Sequence, residues 1–435
     1  MKNVLSFILL FTLITSLHSQ SYDISQYRAR FERRPFLELD PSLSYSGLLT
    51  NQFNQDQHSG GAALEALWRE HSNLDERQTV WTVLGRTSFG RAEFENPDRQ
   101  DQSNKQISIN GTFSQTNYNA KNRFWGFRGN AFVNAIDRDN EFLVSNRFTN
   151  INIQPGIFFG GGRTEFAEDA LLANWMMDDL LEVGAISSAT PEQRFALAQR
   201  VTSIIGNRTF DFRRRRIYEL QQLKQLFEEE NINISDDFLL FAILNDNWAF
   251  ANRAALPHGK QWVVGVDGGG SYSFASLPVA TDNFLVFVEP YVRFESAKIR
   301  HNNASTSLFA QLRGFYRDNL DEGNGQTPVF SLLTQSGVSL SLGHSYVWLP
   351  MSRTTLRWNN AVNLGFTSFD ADNIPNLNNE WTTNWQSVLS WNYFISYTWR
   401  LSLDAGIQAT FINREFDKSE AIRPFFNLRS TIAIF

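Results

Sequence analysis

The chain has 435 residues, a formal net charge of −6, 42% hydrophobic residues and no cysteine. Mild acidity offers no electrostatic footprint for nucleic acid, and without cysteine there is neither a disulfide nor an acylated lipoprotein anchor. The 38 Phe, 12 Trp and 11 Tyr would need an unusually large core in a soluble protein, whereas a membrane-facing sheet uses rings as lipid contacts and interfacial anchors.

In chain order, the first element is a secretory signal peptide over residues 1–19. Lys2, the apolar "VLSFILLFTLITSL" and "LHS" before Gln20 supply its charged, apolar and cleavage regions. The apolar run is short for a membrane-spanning helix of about 20 residues, and no longer run follows it. Residues 20–77 form an N-terminal segment in which "SLSYSGLLTNQF" (42–53) and a stretch near 61–72 offer one candidate strand pair. Strands are then expected over 78–94, 105–118, 122–137 and 142–159, the first part of a sheet covering 78–160. "QISINGTFSQT" sets the pattern: Ile107, Ile109, Gly111 and Phe113 alternate with Ser108, Asn110, Thr112 and Ser114. A period of two makes one apolar and one polar face.

The pattern changes within "NIQPGIFFGGGRTEFAEDALLANWMMDDLLEVGAI" (152–186), extended to Phe159 and helical from Glu165. Gly160 to Gly162 read as a hinge between the two, since the spacing, Lys and Ser/Thr of a phosphate-binding loop are missing. Residues 161–257 are expected to form an inserted subdomain of about four helices. Thr190-Pro191-Glu192-Gln193 places an N-cap, a Pro at N1 and a capping box, and Ser235-Asp236-Asp237 opens a further helix with first-turn acids. Leu171, Leu172, Trp175, Met176 and Leu180 form one apolar stripe; Ile217, Leu220, Leu223 and Leu226/Phe227 form another. "DFRRRRIYEL" gathers Arg213, Arg214, Arg215 and Arg216, a candidate site for lipid phosphates or an acidic partner. Four successive helical residues point around the axis, however, and Arg215 is spaced to pair with Glu219, so a solvated face is the competing reading.

Strands resume over 259–276, 282–300, 304–318, 328–349, 353–369, 381–395, 398–415 and 422–435, within a second sheet region covering 258–435. In "TWRLSLDAGIQATF" the apolar set runs from Trp399 to Phe411 and the polar set includes Arg400, Asp404 and Gln408. Trp262 and Phe274 share one face 12 residues apart, as do Trp399 and Phe411. At ~3.3 Å per residue and a tilt of ~40° this is ~30 Å, close to an apolar band of ~25 Å with an aromatic girdle at each edge. Trp262, Trp348, Trp358, Trp391, Tyr393, Trp399 and Phe435 would mark one edge. Phe274, Phe284, Tyr316, Phe330, Phe366, Trp381, Trp385 and Phe411 would mark the other. The inward face would carry Glu289, Arg293, Glu295, Arg357, Asn359 and Asn363 besides the polar set above. Gly268 to Gly270 lie inside a strand and point to a bend or close packing.

The architecture expected is therefore an all-β transmembrane antiparallel barrel of about twelve strands, fourteen with the N-terminal pair, carrying a helical subdomain. "RHNNA" and "LPMS" are short connections, whereas "NLDEGNGQTP" and "DADNIPNLNNE" are long and polar, matching periplasmic turns and outer loops. Eight strands follow the insert, and an even number of crossings returns the chain to its starting side. The insert is thus expected in the periplasm.

No catalytic, cofactor or metal residue is assigned. His71-Ser72-Asn73 in "REHSNLDE" shares its letters with outer-membrane phospholipase barrels, but neighbours on a strand point oppositely, and a polar loop is expected there. His58, His258, His301 and His344 are scattered and lack metal-ligand spacing. Asp318, Asp321 and Glu322 are loop carboxylates with a weak claim on a cation.

The C-terminal "FFNLRSTIAIF", ending on Phe435, resembles the terminal signal that barrels present to the assembly machinery. Its alternation through Phe426, Leu428, Ile432 and Ile434 is one residue out of phase. Over nearly its mature length the chain resembles outer-membrane β-barrel proteins of Gram-negative bacteria, in particular the Bacteroidetes type. The piece from "GGGRTEFAEDAL" to "FDFRRRRIYEL" is similar to an insert found in barrels of unknown activity. The resemblance implies an outer-membrane location, with outer-membrane lipid and the barrel-assembly machinery as partners and no cofactor. Three functions are then open. The helices dock a periplasmic envelope partner in export or assembly, or they plug a solute channel, or the barrel is an interfacial lipid hydrolase.

Overall fold

The computed structural model describes residues 23–432 apart from 49–56, 95–101, 141–145, 207–211, 249–255, 277–280, 301, 320–333, 371–378, 396–398 and 415–417. The expected signal peptide (1–19), His301, Asp321, Glu322, Phe330 and Phe435 lie outside the described residues.

Alternating sequence becomes strand throughout: β1 (Phe31–Leu48), β2 (Gln57–Asn73), β3 (Arg77–Phe94), β4 (Gln102–Tyr118), β5 (Arg123–Asn140) and β6 (Asn146–Phe166). After the helices come β7 (Pro257–Ser276), β8 (Thr281–Arg300), β9 (Ala304–Asn319), β10 (Thr334–Met351), β11 (Thr354–Asp370), β12 (Glu380–Phe394), β13 (Trp399–Arg414) and β14 (Lys418–Ile432). They form one fourteen-stranded antiparallel sheet whose spatial order is the chain order. The expected antiparallel sheet with inserted helices is what is found, and the N-terminal pair completes the fourteen. Strands of 15 to 21 residues far exceed the usual 5–6.

Connections at one end of the sheet are short, 74–76, 119–122, 301–303, 352–353 and 395–398. Apart from the helical insert, the longest connection, 320–333, is at the other end. The helices α1 (Glu168–Glu182), α2 (Pro191–Gly206), α3 (Phe212–Glu229) and α4 (Asp237–Trp248) leave from the short-turn end, between β6 and β7. Because eight strands follow them, β14 ends there too.

The sheet is curled with its polar face concave. Asn73 at the end of β2 donates to Glu165 on β6 at 3.3 Å, although strands four apart in a flat sheet would stand about 19 Å away. The Ile24 amide, just before β1, reaches Asn302 in the β8–β9 turn at 3.4 Å. Large apolar side chains, among them Ile107, Trp125, Ile157 and Val288, stand exposed on the convex face.

The helices share one core at the short-turn end. Leu171, Met176 and Leu180 of α1 meet Leu197, Val201 and Ile205 of α2, Leu223 and Phe227 of α3, and Leu240, Leu244 and Trp248 of α4. Ile24 and Tyr27, from the stretch before β1, and Ile299, Val347 and Leu349, from strand ends, join the same cluster. Each buried side chain of this size contributes roughly 1.5–3 kcal/mol. Thr190 and Gln193 exchange the two hydrogen bonds of the expected capping box, at 2.9 and 3.3 Å. At α4 the cap is Asp236, which accepts from the Phe238 and Leu239 amides.

Three expectations are corrected. Gly160 to Gly162 are no hinge: β6 stays paired with β7 as far as Phe166↔Pro257. His71, Ser72 and Asn73 belong to β2 rather than to a loop. Ile217 is 61% exposed and outside the apolar stripe of α3, because the neighbouring helices pack against Leu223 and Phe227 instead.

Candidate functional site

The concave wall carries the densest polar chemistry. Arg128 on β5, Gly156 on β6, Asp267 on β7 and Glu289 on β8 lie in one pairing row. Gly156 contributes no side chain, and a Cβ there would sit 2.1 Å from Asp267 Oδ1. Arg128 therefore reaches over β6 and holds Asp267 with both arms of its fork, Nε to Oδ1 at 2.8 Å and Nη2 to Oδ2. Bidentate guanidinium–carboxylate bonds are short, strong and directional. Glu289 accepts from Arg313 at 2.6 Å, Arg317 at 3.0 Å and Gln154 at 3.3 Å. The guanidiniums of Arg128 and Arg313 lie 4.3 and 5.7 Å from the Tyr291 ring centroid, within cation–π range. Arg293 and Glu295, two and four strand positions from Tyr291, approach to 3.3 Å.

Sequence parity anticipates Glu289, Arg293 and Glu295 on this face. It passes over Arg128, Asp267, Tyr291, Arg313 and Arg317, though the same period of two runs through "FWGFRGN", "VVGVDGG" and "QLRGFYRD". What marks them as a group is the cross-strand register, which no single strand contains.

At the short-turn end the helices lie across the mouth of the curl and are tied to its rim. Arg34 of β1 bonds Asp169 of α1 at 2.5 Å, with both side chains buried, and lies 3.6 Å from Glu168. Asp169 also accepts the Thr202 hydroxyl of α2, which in turn meets the Tyr27 phenol. Arg30 forks onto Glu165 with two bonds of 2.9 Å and reaches Asp75 in the β2–β3 turn. Arg163 on β6 spans to Asn73 at 2.7 Å and to the Leu74 carbonyl at 2.6 Å. On the opposite rim Arg353, in the β10–β11 turn, bonds Asp246 of α4 at 2.7 Å.

Burial, and then the adjacent Asp169 charge, push the Glu168 carboxyl up to about 7 against the pull of Arg34. Arg30, bonded to Asp75, holds that carboxyl below its ordinary range.

The remaining sequence candidates fall elsewhere. Arg215 pairs with Glu219 at 3.4 Å, and Glu219 also accepts from Trp248 Nε1. Arg216 donates to Asn245 at 3.0 Å; the side chains of Arg213 and Arg214 are outside the described residues. His71 sits between the rings of Phe31 and Phe166, while its neighbour Ser72 points to the other face. Asp318, expected in a loop, belongs to β9 and accepts from Thr334 on the adjacent β10. Among the described residues no group of three or more His, Cys, Asp or Glu is placed to hold a metal ion. Trp262, Phe284, Tyr316, Trp358, Trp381, Trp385, Trp399 and Phe411 stand exposed on the convex face. Trp348, Trp391 and Phe274 share that face by strand parity with Tyr346, Leu389 and Tyr272. Trp262, Trp348, Trp358, Trp391 and Trp399 lie toward the short turns; Phe274, Phe284, Tyr316, Trp381 and Phe411 lie toward the long connections.

No family model matches the chain, and no curated protein does. Among solved structures it is similar to the toluene transporter TodX of Pseudomonas putida, at 7% identity and a TM-score of 0.31, covering 96% of this chain and 94% of that one. The translocator domain of the autotransporter NalP from Neisseria meningitidis gives 7% identity and 0.31, covering 84% and 92%. A bacterial polysaccharide outer membrane secretin gives 9% identity and 0.29, covering 92% and 98%. At this level the likeness carries no argument about this chain.

Proposed function

We propose that the sheet closes into a β-barrel in the outer membrane of a Gram-negative bacterium, and that the protein is a channel whose periplasmic mouth is plugged by its helical domain. The convex face supplies an apolar surface with aromatic rings toward both edges, as lipid contact requires. No helix among the described residues is long and apolar enough to cross a membrane, so crossing falls to the strands. Outer-membrane lipid and the barrel-assembly machinery are then its partners.

The observation that carries the plug is the attachment of the helices. Their core is continuous with the strand ends, and ion pairs bind them to β1 and to the β10–β11 turn. A polar concave wall behind such a cover is what a closed aqueous path needs. One further observation supports a second reading, docking of a periplasmic partner: Ile217, Tyr218 and Phe238 stand exposed on α3 and α4.

Single-channel conductance separates the two. The full chain should be silent or open only briefly, and replacing residues 168–256 by a short turn should give steady conductance. Steady conductance of the full chain would remove the plug, and silence of both forms would remove the channel and leave docking.

A further inference from the structure

The charges of the concave wall are arranged in depth. Asp267 and Glu289 are buried, at 2% and 5% exposure, beneath the guanidiniums that bond them. Arg317 keeps 42% of its side chain exposed, with Arg128 and Arg313 each about a quarter exposed. The surface presented to the concavity is therefore made of guanidinium edges, with the carboxylates behind. Elsewhere on the wall Arg86 on β3, Arg357 on β11 and Arg423 on β14 face inward by strand parity and are exposed, whereas the inward carboxylates Glu65, Glu295 and Asp404 are only partly exposed. This wall belongs to a chain whose net charge is −6, so its excess of exposed arginine is local rather than a reflection of composition.

A concavity whose most exposed charges are of one sign, between walls of low dielectric, concentrates ions of the other. Guanidinium in particular matches planar or tetrahedral oxyanions with paired N–H donors. The carboxylates fix the forks in place, so little side-chain freedom is lost when an anion arrives. Position adds to this. Arg317 pairs in register with Phe287, toward the long-connection end, whereas the helices cover the other end. An anion reaches Arg317 from the open side with the plug in place.

We infer that the channel selects small oxyanions of the phosphate and carboxylate class, and holds them at the guanidiniums of Arg128, Arg313 and Arg317. The inference rests on the channel reading for transport, whereas binding itself does not depend on conductance.

Two measurements test them separately. Calorimetric titration of the full-length protein in detergent with inorganic phosphate should show binding, weakened about tenfold by Arg317→Gln and unchanged by Arg33→Gln near the rim, where Arg33 pairs with Glu70. Arg317→Lys keeps the charge without the fork and should fall between, which covers a Gln variant that fails to fold. Absence of phosphate binding, or equal binding by wild type and both Arg317 variants, overturns the site. Under a KCl gradient, the reversal potential of the form lacking residues 168–256 should lie on the chloride side. Conductance with a cation preference or none overturns anion selection and leaves the channel standing. Silence with intact Arg317-dependent binding overturns the channel and keeps the anion site.

Discussion

Glu168 and Asp169 occupy the first turn of α1, where the helix dipole favours carboxylates, but one arginine serves both. Arg34 is committed to Asp169 at 2.5 Å, and Glu168, 22% exposed, is left at 3.6 Å. Its carboxyl, raised to about 7, binds its proton more tightly in the folded protein than in the unfolded chain, where the ordinary value is about 4.3. Between those values the folded state loses stability as pH rises, and the cost is fully present above 7. Glu168→Gln should therefore stabilise the helices at pH 8, by on the order of 1–3 kcal/mol, and change little at pH 4. Helical circular dichroism melts at the two pH values would check this; an unchanged pH slope would rule it out.

Elements show where local pattern and tertiary setting part. The capping box of α2 and the Arg215–Glu219 pair are separated by three and four residues, and both are found as the sequence implies. The triplet Gly160 to Gly162 reads locally as a flexible joint, yet it is strand. Gly162 has φ +87°, and a Cβ would stand 2.0 Å from the Lys260 carbonyl oxygen on β7. The glycines are required by close approach, which a one-dimensional reading cannot distinguish from looseness. Gly162→Ala should cost the strained conformation, roughly 1–2 kcal/mol, plus displacement of β7. A lowered urea midpoint would show it, while an unchanged midpoint would mean that β6 relaxes freely there.

For the whole molecule, the question is whether helices and sheet are one unit. Removing one partner of a buried ion pair typically costs about 3–5 kcal/mol, because the other charge is left uncompensated. Arg34→Ala strands Asp169 in this way and should loosen the helical cover from the rim. Hydrogen exchange should then accelerate in α1 and α2 while β7 to β13 keep their protection. Equal acceleration in both would mean that cover and sheet unfold together.

Sequence alone determined twelve of the fourteen strands, their two faces, the helical interruption and the end of the sheet from which it leaves. Each follows from a period of two, a period of 3.6 or the parity of crossings, and these are properties of short stretches and of counting. β1 begins at Phe31, eleven residues ahead of the stretch expected to form it. Tertiary structure decided the curl, the seating of the helices on β1 and the β10–β11 turn, and the pairing of Arg128 with Asp267, 139 residues apart. Those contacts depend on the register between strands and on the curvature of the sheet. A run of alternating residues is equally consistent with many registers and curvatures, so it places a charge on a face without choosing its partner.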